Sequence, residues 1–288
     1  MNEPVISGVS DTARWVALYR AWESMRPDAL FRDPYAERFA GARGAAMAEF
    51  MPRAARNGWP VIARTRVLDD QVLSAVGRGC DCVVNLAAGF DTRPYRLELP
   101  ASLRWIEADL PAVIEEKERL LADSKPRCRL ARVGVDLVDA VARGAMLRTA
   151  VEGSSRALVL TEGLLVYLED REVRALAADL RAIGAVQEWL IDLASPGLLA
   201  MMQGSMGRQL VNAPMKFAPP AGVGYFEALG WRVEQVEPML RAAARWRRVP
   251  FLLRMFARLP QPDPRRPGRA PWSAVVRLAR ETPPIAGR

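Results

Sequence analysis

The chain of 288 residues contains no histidine. Serine or cysteine nucleophiles driven by an imidazole base are therefore excluded in their usual form. Most zinc and non-haem iron centres, which draw on imidazole ligands, are excluded too, and no metal site is expected. Any general base must be Asp, Glu, Lys, Tyr or Cys, or the reaction needs none. Three cysteines, Cys80, Cys82 and Cys128, make no disulfide framework. No uncharged apolar run approaches the ~18 residues that span a bilayer. The first residues, MNEPVISGVSDTARW, lack the basic-then-apolar order of a signal peptide. These absences lead to the expectation of a cytoplasmic protein without a membrane partner.

Glycine is also scarce where it would be most telling. Residues 82–109 hold an apolar run, Cys82 to Leu86, then the small residues Ala87, Ala88 and Gly89, then a second run from Trp105 that ends on Asp109. A buried strand, a small-residue turn and an acid about 20 residues later are the parts of a nucleotide-binding βαβ unit. The dinucleotide fingerprint wants three glycines, and this turn has one. Less room for a pyrophosphate suits a nucleoside ligand without phosphates. An ordinary βα turn explains the same pattern.

What is present is globular in composition, with 50% hydrophobic residues and a net charge of +8. The basic surplus is mostly arginine and leaves room for an anionic partner. Trp15, Leu18, Tyr19 and Trp22 predict a helix over 10–25, capped at Ser10 or Asp11. The Asp33-Pro34 pair opens a second helix, and residues 60–76 a third that carries Arg64 and Arg66. Strands are predicted at 82–87, 104–108, 129–135, 156–161 and 186–193, with helices at 111–123, 137–149 and 170–182. This alternation predicts an α/β, doubly wound parallel sheet. Ligands of such sheets sit at the carboxyl ends of the strands. Asp91, Asp109, Asp136, Glu162 and Asp192 all fall there.

Residues 196–230 read as a helical insertion rich in Leu198, Leu199, Met201, Met202 and Met206. Methionine adapts to irregular apolar shapes, so both a pliable substrate lid and a packed helix are open readings. Strands are predicted at 230–236 and 272–280, the last one antiparallel. Between them, 241–271 combines eight arginines outside Arg241 with Trp246, Phe251, Phe256 and the prolines Pro250, Pro260, Pro262, Pro264 and Pro267. Basic residues interleaved with aromatics can bind nucleic acid. The prolines favour an irregular, solvated connection, and no nucleic-acid partner is expected.

Several segments carry a family resemblance: LFRDPYAERFAG at 30–41, IARTRVLDD at 62–70, VVNLAAGFDTRPYRL at 83–97, WIEADLPAVIEEK at 105–117, VGVDL at 133–137 and LTEGLLVYL at 160–168. In this order and spacing the chain resembles the leucine carboxyl methyltransferases, nearest to the bacterial polyketide O-methyltransferase branch. The resemblance implies a class I, Rossmann-like sheet of seven strands in the order 3-2-1-4-5-7-6 with a reversed final strand. It implies a helical cap over 1–76, an S-adenosylmethionine-binding core over 77–195, a lid over 196–230 and completion of the sheet by 231–288.

By motif, Arg64 would meet the carboxylate of the S-adenosyl-L-methionine cofactor, Gly89 would admit it to the turn, and Asp109 would take its ribose hydroxyls. Asp136 and Leu137 would flank the adenine, Glu162 would accept from the ammonium, and Tyr167 would line the site. The residues alone also allow a surface charge at Arg64 and helix N-caps at Asp136 and Glu162. Position 87 is Ala where many members of the family have Gly. The implied activity is O-methylation of a carboxylate or hydroxyl on a small, partly apolar acceptor. The alternatives are a non-catalytic cofactor-binding protein and, less favoured, a nucleic-acid methyltransferase.

Overall fold

A computed structural model describes residues 9–49, 57–206 and 213–281. Its centre is a seven-stranded sheet in the order β3-β2-β1-β4-β5-β7-β6. The strands are β1 (Cys82–Leu86), β2 (Arg104–Asp109), β3 (Arg129–Gly134), β4 (Ala157–Thr161), β5 (Val186–Ala194), β6 (Trp231–Pro238) and β7 (Ser273–Arg280). The first five run parallel, and β7 lies antiparallel between β5 and β6. The predicted order and the reversed last strand are both found.

The middle strands show why this sequence makes a covered sheet. CVVNL of β1 and ALVLT of β4 are buried at every position, as expected where helices cover both faces. Successive side chains alternate between two cores. Cys82, Val84 and Leu86 face one side with Leu147 of α6 (Ala140–Ala150), Leu176 and Leu180 of α7 (Asp170–Ala182) and Phe226 of α9 (Gly224–Ala228). Val83 faces the other with Val67, Leu68 and Val72 of α3 (Trp59–Gly77) and with Ala242 and Ala243 of α10 (Met239–Arg245). The N-terminal helices α1 (Val9–Ser24) and α2 (Ala36–Glu49) build a third cluster, in which Ala17, Leu18 and Phe39 pack on Phe90 and Tyr95. That cluster sits on the turn after β1, so the cap covers the end of the sheet where ligands bind.

Three local expectations change. Helix α1 already runs at Val9, so Ser10 and Asp11 lie inside it rather than at its cap. Helix α2 begins at Ala36, two residues beyond Pro34, and the Asp33 carboxylate instead accepts the Tyr35 N–H at 3.1 Å. The 241–271 stretch is not an irregular solvated loop. It holds the end of α10 and all of α11 (Phe251–Phe256), and Pro250 serves as the N-cap of α11. Arg248 is buried against Glu23, with Nη2 donating to Oε1 at 2.8 Å. Proline lacks only the N–H that a helix start leaves unpaired, so it permits what it seemed to forbid.

One buried ion pair fixes the strand beside the site. Lys117 of α5 (Pro111–Leu120) and Glu107 of β2 are fully buried, with Nζ 2.8 Å from Oε1. Arg132 of β3 takes the other oxygen at 2.9 Å. Burial pushes the Glu107 carboxyl up and the Lys117 ammonium down, against the attraction between them. Removing one partner leaves the other charge stranded. Glu107→Leu is therefore expected to cost about 3 kcal/mol in urea unfolding, and adding Lys117→Met to recover most of it. A loss below about 1 kcal/mol for the single variant would show that the pair does not pin α5 to the sheet.

Candidate functional site

The turn after β1 is held in a shape few residues adopt. Ala87 has φ 53° and Gly89 φ 45°, both in the left-handed region. Glycine enters it freely, and alanine pays for its Cβ. The Ala88 N–H reaches the carbonyl of Ala108 on β2 at 3.2 Å, and the Asp91 N–H returns to the Ala88 carbonyl at 2.9 Å. Asp109 closes the arrangement. Its Oδ2 accepts the Gly89 N–H and its Oδ1 the Leu110 N–H, each at 2.7 Å. Burial raises the Asp109 pKa, and these two N–H groups offset it in part. Among the described residues no arginine or lysine lies within 4 Å of this carboxylate. Thus the sequence-predicted Gly89 and Asp109 are brought into direct contact.

The loop after β3 lies next to them, because the Val135 N–H donates to the Asp109 carbonyl at 2.7 Å. Asp136 is exposed, and its Oδ1 accepts the Val138 N–H at 2.9 Å. It shapes this loop, whereas the N-cap of α6 is Asp139. Leu137 is half-buried, and its carbonyl accepts from Arg143 at 2.6 Å.

Beyond β4 the side chains form a charged lattice. Arg64 of α3 donates through Nε to Glu162 Oε1 at 3.0 Å and through Nη1 to Asp192 Oδ2 at 2.7 Å. Arg93 of α4 (Arg93–Arg96) donates to Glu162 Oε2 at 2.8 Å, Asp91 Oδ2 at 2.6 Å and Asp69 Oδ1 at 2.7 Å. Gly163, with φ 66°, gives its N–H to Asp192 Oδ1 at 2.7 Å. Burial pushes the carboxyls of Asp91 and Glu162 up, but the arginines beside them outweigh it and hold both pKa values below the usual range. The two arginines differ in access. The Arg93 side chain is 2% exposed and sealed, whereas Arg64 is 19% exposed, with Glu162 at 16% and Asp192 at 20%. Arg64, Glu162 and Asp192 are partly open to solvent, while the sealed Arg93 holds Glu162 from behind.

Arg93 and Asp69 were not singled out from the sequence, and Asp91 and Asp192 were noted only as strand-end acids. The available signal was a pair of arginines, Arg93 and Arg96, in the short segment right after the turn, next to the strand-end acid Asp91. Tyr167 closes a different side. It ends a 3-10 turn after β4, and its hydroxyl is hydrogen-bonded to Thr12 of α1 while burial raises its pKa. Helix α1 is anchored over the turn by Arg20, which donates to the Phe90 carbonyl at 2.6 Å. The Phe39 and Phe90 rings stack at 4.6 Å beneath it. Helix α8 (Pro196–Met206) follows β5, with Leu198, Leu199 and Met202 half-buried and Met201 exposed. The predicted helix beyond Met206 falls outside the described residues.

Acceptors at four successive strand ends and one reachable arginine therefore ring the switch point between β1 and β4. The sequence model of the family described as leucine carboxyl methyltransferase matches residues 13–181. The chain belongs to that family. A Frankia alni protein named for S-adenosyl-L-methionine-dependent methyl transfer is 32% identical over 251 residues, covering 83% of this chain and 87% of the relative. A protein of the same description from Streptomyces avermitilis is 32% identical over 254 residues, covering 83% and 88%. A crystal structure named as a methyltransferase from Thermobifida fusca shares the fold with TM-score 0.57 at 15% identity, over 96% of each chain. A DUF574 family protein from Streptomyces avermitilis does so with TM-score 0.54 at 16% identity, over 94% of this chain and 97% of the other.

In this leucine carboxyl methyltransferase family member the acid lattice should set the response to pH. Asp91 and Glu162 have folded pKa values below their unfolded ones, so folding releases protons. Their stabilisation is complete above the ordinary carboxylate pKa of about 4 and is lost as pH falls through the lower folded values. Arg93→Leu takes the arginine from Asp91 and one of two arginines from each of Glu162 and Asp69, and is expected to cost about 3–5 kcal/mol at pH 7. The gap between variant and wild type should narrow as those carboxylates are protonated. Urea unfolding at pH 7 and in acid checks this, and a gap independent of pH would contradict it.

Proposed function

We propose that this S-adenosylmethionine-dependent methyltransferase methylates an oxygen of a small, partly apolar acceptor, with a carboxylate as the favoured group and polyketide-type metabolites as the acceptor class. The observation that carries the carboxylate reading is the lack of a ready base. The chain has no imidazole. At the strand ends Glu162 and Asp192 are held by arginines, and Asp109 by two backbone N–H groups. A carboxylate acceptor, with a pKa of ~4, is already ionised at pH 7 and needs no proton removed. A phenol, at ~10, would need one removed. The half-buried Leu198, Leu199 and Met202 of α8 support an apolar wall for the acceptor, in keeping with a lid over 196–230. The reaction is assigned to the cytoplasm, and none of the described helices is long and apolar enough to cross a membrane.

The donor set fits the cofactor. S-adenosylmethionine supplies an electrophilic methyl group on a sulfonium. Arg64 is placed to pair with its carboxylate. Glu162 keeps a lone pair on each oxygen beyond those used by Arg64 and Arg93, enough to accept from an ammonium. Asp109, with no arginine or lysine within 4 Å among the described residues, has acceptor capacity left for two ribose hydroxyls. The Oδ2 of Asp136 accepts nothing from the described residues and suits the exocyclic amine of adenine, with Leu137 against the ring. Gly89 and Ala87 keep the turn low enough for close approach. Tyr167, tied to Thr12, holds α1 over the site and excludes water. The protein's share of the rate then comes from aligning the acceptor oxygen ~3–3.5 Å from the methyl carbon.

Calorimetry with S-adenosylmethionine tests the binding roles. Asp109→Ala should weaken binding at least about tenfold, the worth of a charge-assisted hydrogen bond. Unchanged affinity would remove Asp109 from the site. The acceptor is tested by alkali. Label transferred from radioactive methyl donor to acceptors in an extract should be released as methanol by mild base if the product is an ester. Alkali-stable label would replace the carboxylate reading with a hydroxyl acceptor.

A further inference from the structure

Helix α11 is turned inside out. Its Leu253 packs on the core beneath α3, and Ala257, just past its end, is buried. Its larger apolar side chains point away: Phe251 is 66% exposed, Leu252 68%, Met255 53%, Phe256 57% and, in the turn that follows, Leu259 55%. The positions i, i+1, i+4, i+5 and i+8 make one continuous helical stripe. Single exposed apolar residues are ordinary, but five adjacent ones mark a surface with a partner.

The charge around the stripe says what kind. Residues 239–272 contain nine arginines and one acid, Asp263, with no lysine and no glutamate. Arg245, Arg248 and Arg265 are paired, with Glu237, Glu23 and Glu227. Arg241, Arg247, Arg254, Arg258, Arg266 and Arg269 form no ion pair among the described residues. Arg254 and Arg258 lie on and just after α11, Arg241 lies on α10, which packs against it, and Arg247 follows α10. An apolar stripe flanked by arginines without ion pairs is the pattern of a helix that lies in a lipid interface, with apolar side chains at the acyl boundary and guanidinium groups at the phosphates. Nucleic acid would supply the negative charge but would leave Leu252, Met255 and Leu259 against a polar backbone. A two-turn helix is too short to form alone in water. Here Pro250 starts it and Leu253 and Ala257 fix it to the core, so docking would order nothing new.

We propose that the 250–259 segment docks this methyltransferase peripherally on an anionic lipid bilayer. The expectation of no membrane partner rested on the lack of a spanning run and of a signal peptide, neither of which bears on a peripheral surface. The docking surface does not depend on the identity of the acceptor.

The test is co-sedimentation of the full chain with vesicles of phosphatidylglycerol and phosphatidylcholine, against vesicles of phosphatidylcholine alone. The chain should bind the anionic vesicles, release them as salt rises, and bind the neutral ones at least about tenfold less. The Leu252→Ser/Phe256→Ser variant should lose at least about tenfold in vesicle binding. Arg254→Gln/Arg258→Gln should bind more weakly and with a shallower salt dependence. Leu252, Phe256 and Arg258 are exposed and Arg254 is half-buried over the Phe251 ring, so S-adenosylmethionine affinity of both variants, and thermal unfolding of the serine variant, should match the wild type. Absence of binding to anionic vesicles, equal binding to neutral ones, or full binding by the serine variant would overturn the proposal. So would a wild-type dimer that the serine variant breaks, or retention on RNA, if either came without vesicle binding.

Discussion

Arg93, sealed from solvent, donates to three carboxylates from three parts of the chain: Asp69 of α3, Asp91 of the turn after β1, and Glu162 at the end of β4. Each of these acids would be costly to bury by itself. Around one guanidinium they become mutually dependent, and the geometry of the strand ends follows. Glu162 can then offer its other oxygen to Arg64, and Arg64 in turn reaches Asp192 on β5. Asp69 also receives Arg96, through Nη1 at 2.6 Å, so the short α4 is clamped to α3 at both of its arginines. A planar fork with five donors is suited to such branching, and lysine could not substitute.

The site is therefore stiff behind and open in front. Behind lie Arg93, the buried Lys117–Glu107 pair and the alternating cores of the sheet. In front lie Asp109, Asp136 and Arg64, reached from the side that α1 covers. The cap is joined to the turn by stacking of Phe39 on Phe90, by Arg20 on the Phe90 carbonyl, and by the Thr92 hydroxyl, which donates to Asp33 at 2.7 Å. Its position is thus coupled to the turn that carries Gly89. Movement of one is felt by the other through side chains that have little freedom to repack.

Much of this was legible in the chain, for reasons particular to each element. The five parallel strands could be read because buried strands are short apolar runs, such as CVVNL and ALVLT, ended by small residues or acids. The last strand was already read as antiparallel from the chain, but the strand order came from the resemblance, since period and composition carry no information on neighbours. Gly89 and Asp109 could be picked out because a small-residue turn followed about 20 residues later by a strand-end acid is a recognisable pattern, whereas a role for Glu162 came from the resemblance, a single strand-end acid being common. Arg93 escaped notice because an arginine reads as surface unless its partners are known, and Asp69 lies 24 residues away. The 250–259 stripe was missed for another reason. The prolines of 241–271 favoured an irregular solvated connection, and only the structure shows that Pro250 opens a helix whose Leu253 faces the core.

Ala87 sits where the backbone asks for left-handed geometry and the sequence provides a methyl group. The turn is thus imposed by its hydrogen bonds to β2 and by Asp109, and the residue merely tolerates it. A search pattern that demands glycine at that place passes over this protein. One that asks for a residue small enough to be forced, followed by a strand ending in an acid, does not. What identifies such a nucleoside-binding turn is the torsion the neighbours can enforce, and the letter in the sequence is only its most frequent symptom.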